Sequence, residues 1–296
     1  MQSNHFNRIG IIGKYGADYV DDIIHRVLDH LQSRQIDVLL DTDTMPETLR
    51  AHPNAYPLQE WSNQIELAIV IGGDGTFLHA GRALIYQTIP LVGINSGRLG
   101  FLADLPQESL ETQLNHILEG NYRLETRPTL KVTLKHPHAP PLELHAINDA
   151  VIHKCKMARM VELNVSVNQC FLSHYRADGL ILSTPTGSTA YALSAGGPII
   201  EPTLEVILAA PICPHSLNHR PVVLSAQSEI EITMRPNSFK DLQLTLDGQE
   251  EYPLTLEDRL LITRGTPLPV IHPSDYRFQD RLRQKLNWGI NPDDPT

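Results

Sequence analysis

Ten residues constrain this chain more than any others: Leu67-Ala68-Ile69-Val70-Ile71-Gly72-Gly73-Asp74-Gly75-Thr76. The apolar run reads as a short strand buried on both faces, the pattern of a parallel sheet. It passes directly into Gly72-Gly73-Asp74-Gly75. Glycines let a backbone turn sharply and bring its N–H groups against a ligand that side chains would block. Thr76 is placed to cap a helix whose apolar side runs through Phe77, Leu78 and Leu84. Buried strand, glycine turn and helix N-terminus together form the crevice where open α/β sheets bind ligands. The acid narrows the chemistry. A loop that only cradles phosphate gains nothing from a further negative charge, so Asp74 handles a proton or a cation-bridged phosphate. The plainer alternative is a strand-to-helix turn with a capping Asp.

The preceding segment supports a parallel sheet. Arg8-Ile9-Gly10-Ile11-Ile12-Gly13 reads as a strand, and Val20, Ile23, Ile24, Val27, Leu28 and Leu31 form one apolar helical stripe. Asp37 to Asp41 is a second strand, so the unit is strand-helix-strand. Glycines at 10, 13 and 16 do not make a dinucleotide fingerprint. After the central turn, Pro90 to Ile94 is a strand running into a second glycine-rich loop, Asn95-Ser96-Gly97-Arg98-Leu99-Gly100-Phe101-Leu102. A helix through Leu110, Leu114, Ile117 and Leu118 then stops at Gly120.

Near residue 122 the period changes to two. Leu130, Val132 and Leu134, then Val161, Leu163, Val165 and Val167, then Ile230 to Met234 and Leu242 to Leu246 alternate along strands. Strands that follow strands predict a mainly antiparallel β domain, with the boundary at about residue 125. Tyr276 to Trp288 reads as helix again.

A net charge of −10 argues against a nucleic-acid surface, leaving an anionic small molecule held by backbone N–H groups and a few placed arginines. The N-terminal residues show no signal-peptide pattern, and no run is long enough to span a bilayer. With three unpaired cysteines (Cys155, Cys170, Cys213), this predicts a cytoplasmic protein without membrane contact. His136-Pro137-His138 reads as a solvated turn, not a metal site.

Two stretches in the β half stand out. Asn148-Asp149 interrupts the apolar run Ala146 to Ile152, as a bulge, a turn or a binding element. Thr184-Pro185-Thr186-Gly187-Ser188-Thr189-Ala190-Tyr191 is a hydroxyl-rich turn leading into a small-residue helix. Its hydroxyls offer weak donors for an anionic or ribose-bearing ligand, and Tyr191 offers a ring face. Ser188 lacks the GxSxG context of a hydrolase nucleophile.

With these pieces in place the sequence resembles the NAD kinase family. The resemblance is carried by Gly72-Gly73-Asp74-Gly75, by Gly93-Ile94 through Leu102, by Asn148-Asp149, by Thr184 through Tyr191 and by Asp247-Gly248-Gln249, over residues 9 to 272. It implies an α/β Rossmann-like first domain (1–125), a sandwich-like antiparallel β domain (126–275) and a C-terminal segment (276–296) packing back on the first. It implies transfer of the terminal phosphate of ATP, or of inorganic polyphosphate, to the 2′-hydroxyl of the adenosine ribose of NAD. Mg²⁺ accompanies the phosphates, and the family forms homo-oligomers, usually tetramers. Val161, Leu163 and Val165 offer an apolar stripe for such assembly. By the same resemblance Asp74 is the catalytic base, and the backbone at Gly72, Gly73 and Gly75 holds phosphate. Phe101, Asn148 and Asp149 contact the substrate, the latter pair gripping its adenosine part. Thr189, Ala190, Tyr191, Ala192, Leu193 and Ser194 line the dinucleotide, while Arg176 and Asp178 match nicotinamide-side positions. Arg159 and Gln249 complete the set. The family usually has Asn-Glu where this chain has Asn148-Asp149, which shortens the reach of that carboxylate by one methylene. Lipid and sugar kinases that share the Gly-Gly-Asp-Gly turn, or a non-catalytic dinucleotide sensor, are the alternatives.

Overall fold

The computed structural model describes residues 5–16, 18–61, 64–97, 100–154, 160–235 and 241–288. Arg159, and Arg98 and Leu99 of the second glycine loop, lie outside the described residues. The chain divides into two compact units, Met1–Glu125 with Pro269–Thr296, and Thr126–Leu268.

The first unit is the α/β one. Its elements are β1 (Arg8–Ile12), α1 (Asp21–Ser33), β2 (Asp37–Asp41), α2 (Glu47–Arg50), β3 (Ala55–Tyr56), β4 (Leu67–Gly72), α3 (Asp74–Ala83), β5 (Leu91–Asn95), α4 (Leu110–Leu118) and the start of β6 (Tyr122–Arg127). The second unit holds β7 (Leu130–Lys135), β8 (Leu142–Ala146), β9 (Asp149–Lys154), β10 (Val161–Val167), β11 (Cys170–Ala177) and β12 (Gly179–Ser183). It continues with α5 (Tyr191–Ser194), β13 (Val206–Ile212), β14 (Val222–Ser225), β15 (Ile230–Met234), β16 (Leu242–Leu246), β17 (Glu250–Leu254) and β18 (Arg259–Arg264). The chain ends with β19 (Leu268–Pro273) and α6 (Phe278–Leu286), back in the first unit.

One seven-stranded sheet runs β3-β2-β1-β4-β5-β19-β6. Strands β1 to β5 pair in parallel, and β19 joins β5 in parallel at Val270 and Leu91. All six residues of β4 are buried, as a strand covered on both faces requires. The stripe Ile23, Ile24, Val27, Leu28 and Leu31 of α1 packs in the core of this unit. Strand order reverses between β1 and β4, so the loop after β4 lies at the switch point where such sheets bind ligands. The return to this unit begins at Pro269, earlier than the expected residue 276. The reason is that β19, read from sequence as part of the β domain, is a strand of the first sheet.

The second unit is a sandwich of two six-stranded antiparallel sheets, β11-β10-β15-β18-β7-β8 and β14-β13-β12-β9-β16-β17. The alternating residues of β7, β10, β15 and β16 meet in its core. Val161, Leu163 and Val165 are fully buried there, so they stabilise this sandwich and offer no stripe to a second copy. Cys170 and Cys213 are free and exposed. No described helix is long and apolar enough to cross a membrane.

Candidate functional site

On the first unit the site is built from the two glycine loops. Asp74 is the first residue of α3 and Gly73 its N-cap, so Thr76 lies inside the first turn and does not cap the helix. Gly72 and Gly73 have ordinary negative φ, and their value is space. A Cβ at Gly72 would come within 2.4 Å of Thr76 Oγ1, whereas one at Gly73 would meet nothing within 4 Å. The backbone at Gly73 is therefore open to a ligand, beside the partial positive charge of a helix N-terminus. Gly75 is exposed in the first turn of α3.

The half-buried Asp74 carboxylate is fixed by the second loop. Oδ2 accepts the N–H of Phe101 at 2.9 Å, and Oδ1 accepts those of Leu102 and Ala103 at 3.0 and 3.1 Å. An ionised carboxylate offers about four lone-pair directions, two on each oxygen. Among the described donors Oδ1 is filled and Oδ2 has one direction left. Oδ2 is thus the oxygen with room for one more donor. Gly100 makes this approach possible, because a Cβ there would lie 1.9 Å from Asp74 Oδ1. We expect Gly100→Ala to melt several degrees lower, because the displaced carboxylate weakens its bonds to the loop, and turnover of the folded variant to fall at least tenfold. The carboxylate, not the backbone, would be displaced, and misplacement of about 1 Å can cost about 10²-fold. Circular dichroism melting and steady-state rates read the two effects.

On the second unit the chain leaves one sheet at β8 and enters the other at β9. Ile147 and Asn148 are this crossing, so the polar pair does not interrupt one strand as the sequence suggested. Asp247, in the turn after β16, holds the crossing. Its carboxylate accepts the N–H groups of Ile147, Asn148 and Asp149 at 3.1, 2.7 and 3.1 Å. The hydroxyls of the Thr184 to Thr189 loop are turned inward as well. Thr184 Oγ1 donates to Ile147 O at 2.6 Å, Ser183 Oγ donates to Asn148 O, and Ser188 Oγ donates to Pro185 O while accepting from Ile200 N–H. The hydroxyls of Ser183, Thr184 and Ser188 thus fix the loop, contrary to the expectation that they face a ligand, whereas Thr186 Oγ1 is buried without a hydrogen-bond partner among the described residues. Gly187 lets it close on the crossing, since a Cβ there would lie 2.2 Å from Asn148 O. The helix expected after it is a single turn, α5.

Loop, crossing and hairpin turn enclose a cavity of about 270 Å³ lined by Asn148, Asp149, Val151, His153, Ala190, Tyr191, Thr245, Asp247 and Gly248. Two features suit it to a ligand. Among the described residues Asn148 Oδ1 is buried without a hydrogen-bond partner, a costly arrangement that a ligand N–H or O–H would relieve. Asp149 is 4% exposed, and burial, followed by the negative charge of Asp247, pushes its carboxyl up to about 7. Tyr191 is exposed at the rim and presents a ring.

Of the residues singled out from sequence, this cavity unites Asn148, Asp149, Ala190 and Tyr191; Thr189, Ala192, Leu193 and Ser194 do not line it. Ala192 packs instead in the core behind it, with Val151 and Ile181. Arg176 lies 3.9 Å from Glu162, and Asp178 pairs with Lys154, so both take part in ion pairs on the strands. Gln249 is exposed in the turn beside Asp247. Val151, His153 and Thr245 were missed, and Asp247 and Gly248 were read only as part of the Asp247-Gly248-Gln249 motif, not as lining residues. Strand alternation carried the signal for two of them, because Asp149, Val151 and His153 are i, i+2 and i+4 on β9 and share one face. His153 Nδ1 sits 3.0 Å from Lys154 O and Nε2 2.8 Å from Thr245 Oγ1, which locks the ring at the cavity wall.

Comparisons with known proteins identify the family. Residues 9–122 match the ATP-NAD kinase N-terminal domain and residues 147–271 the ATP-NAD kinase C-terminal domain. The chain is 39% identical to the NAD kinase of Azotobacter vinelandii over 96% of its own length and 97% of the relative's. It is also 39% identical to the NAD kinase of Aromatoleum aromaticum, over 99% and 98%. Among solved structures, yeast NADH kinase complexed with NADH aligns with a TM-score of 0.86 at 25% identity, covering 96% of this chain and 89% of that one. An NAD kinase from Archaeoglobus fulgidus in complex with ATP aligns at 0.75 and 25% identity, covering 95% and 100%. On the match of both domains and on identity across nearly its whole length, the chain belongs to the NAD kinase family.

Proposed function

We propose that the protein transfers the terminal phosphate of ATP, or of inorganic polyphosphate, to the 2′-hydroxyl of the adenosine ribose of NAD, giving NADP. The observation that carries the mechanism is the Asp74 carboxylate, held at the switch point by three N–H groups, with one lone-pair direction on Oδ2 left by the described donors. A ribose hydroxyl is a poor nucleophile at neutral pH, and phosphoryl transfer depends on alignment and on neutralising charge. In this reading Oδ2 takes the 2′-hydroxyl proton as the ribose oxygen bonds to phosphorus and the bridging P–O bond to the leaving phosphate breaks. Such base assistance is worth roughly 10²–10⁴-fold. The open backbone at Gly73 meets the donor phosphate. Asn148, Asp149 and Tyr191 take the adenosine part of the substrate. Arg176 and Asp178 serve the nicotinamide side.

No group of three or more His, Cys, Asp or Glu side chains among the described residues forms a metal cage. We assign Mg²⁺ to the donor's phosphates, as the family resemblance implies, where it would supply charge neutralisation. The yeast relative's NADH complex and the archaeal relative's ATP complex support the dinucleotide and ATP as substrates. A homo-oligomer in the cytoplasm completes the reading.

A donor and acceptor panel tests it. Purified protein with Mg²⁺ and either ATP or polyphosphate is given NAD, NADH or fructose 6-phosphate. NADP is expected from ATP and NAD. Binding of NAD without NADP from either donor would overturn the proposal in favour of sensing.

A further inference from the structure

The first unit buries a cluster of charged groups that the reaction does not use. His272, on β19, is fully buried, and its Nδ1–H donates to Asp104 Oδ2 at 2.8 Å. Arg281, on α6, donates from Nη2 to Asp104 O at 2.7 Å, with the same nitrogen 3.7 Å from Oδ2. Glu125 Oε2 stands 3.7 Å from His272 Nε2 and Glu125 is itself paired with Arg123, while Tyr276 stacks on the imidazole at 3.9 Å. Asp104 Oδ1 is buried without a hydrogen-bond partner among the described residues. Packing for stability alone favours apolar side chains at such a place, because buried ion pairs rarely recover their desolvation cost.

What the cluster holds is the more informative point. Asp104 directly follows Phe101-Leu102-Ala103, the three residues whose N–H groups grip Asp74. Beyond it, the N–H groups of Asp104 and Leu105 are both bound to Gly93 O, at 3.1 and 3.0 Å. The C-terminal segment also touches the loop directly, with the Phe278 ring 6.5 Å from that of Phe101 and Lys285 Nζ 5.9 Å above the Phe101 ring. We infer that His272 and Arg281 are positioning residues for phosphoryl transfer, acting through Asp104 to aim the amides that aim Asp74. The inference rests on the reading of Asp74 as the base.

The test uses the full chain and the variants His272→Phe, His272→Asn and Arg281→Gln, with and without Asp74→Asn. Phe keeps a ring on Tyr276 and removes the donor, whereas Asn returns an N–H near Nδ1. In folded His272→Phe, kcat is expected to fall 10- to 100-fold while KM for NAD stays within about twofold. His272→Asn should recover most of the loss. Added to Asp74→Asn, His272→Phe should cost little more, because the group being aimed is already gone. Unchanged kcat in folded His272→Phe, or its full cost on top of Asp74→Asn, would overturn the inference. If His272→Phe does not fold, Arg281→Gln gives the same reading, with a kcat loss expected and unchanged kcat overturning it. Near-normal turnover of Asp74→Asn alone overturns the base and this inference with it. Collapse of Asp74→Asn beside an unaffected His272→Phe overturns the inference alone.

Discussion

Asp74→Asn is expected to lower kcat by roughly 10²–10⁴-fold and to leave NAD affinity within about threefold. The substitution conserves shape but not bonding. The amide oxygen still accepts the N–H groups of Leu102 and Ala103. The amide nitrogen then faces the N–H of Phe101, donor against donor, where Oδ2 had accepted it. One charge-assisted bond is lost, about 1.5–3 kcal/mol, so a modest loss of stability accompanies the loss of rate. The two consequences differ in size enough to be told apart. Urea unfolding measures the first, and single-turnover rates on the folded protein measure the second. A variant with near-normal turnover and reduced stability would make Asp74 a helix-start and loop anchor only, the plainer alternative open from the sequence.

Much of the framework was legible because it depends on periodicities that neighbouring residues set locally. The uninterrupted apolar run of β4 and the i, i+3, i+4 stripe of α1 report burial on two faces and on one. The alternation in β7 and β10 reports a one-sided strand. What could not be read was pairing between distant residues. Nothing in Leu268–Pro273 says that its partner is Leu91 and not another sandwich strand. Hydroxyls in Thr184 to Thr189 look the same in sequence whether they face a ligand or the carbonyls of Ile147 and Pro185. Asp74 was legible as an acid at a glycine turn. The three amides that orient it, contributed from about one helix and one strand further along the chain, were not.

Asp149 carries the other large expected effect, and here the structure changes the argument. From sequence it is an ionised acceptor for the nucleoside part of NAD. Its burial and the nearby Asp247 charge push the carboxyl up to about 7, so near neutrality it is about half protonated. Three backbone N–H groups surround the Asp247 carboxylate. The ionised form of Asp149 should therefore make its full charge-assisted bonds only above about pH 7. At pH 8, Asp149→Ala is expected to weaken NAD by roughly 10- to 150-fold, from bonds of about 1.5–3 kcal/mol. Asp149→Glu should bind well, since the adjoining cavity of about 270 Å³ has room for one methylene. Stability should move the other way. A folded-state value of about 7 against an ordinary 3.8 means that the native protein holds a proton which the unfolded chain releases. That contribution is complete below the unfolded value and is lost as pH rises through the folded one, by up to about 4 kcal/mol. Asp149→Asn, which cannot ionise, escapes the loss. It should become more stable than the parent at pH 8 than it is at pH 4, even as it binds NAD less well. Melting at both pH values and NAD titration at pH 8 measure the two trends. An alanine variant that melts lower but binds NAD normally once folded would make Asp149 a crossing residue of the sandwich and remove it from the site.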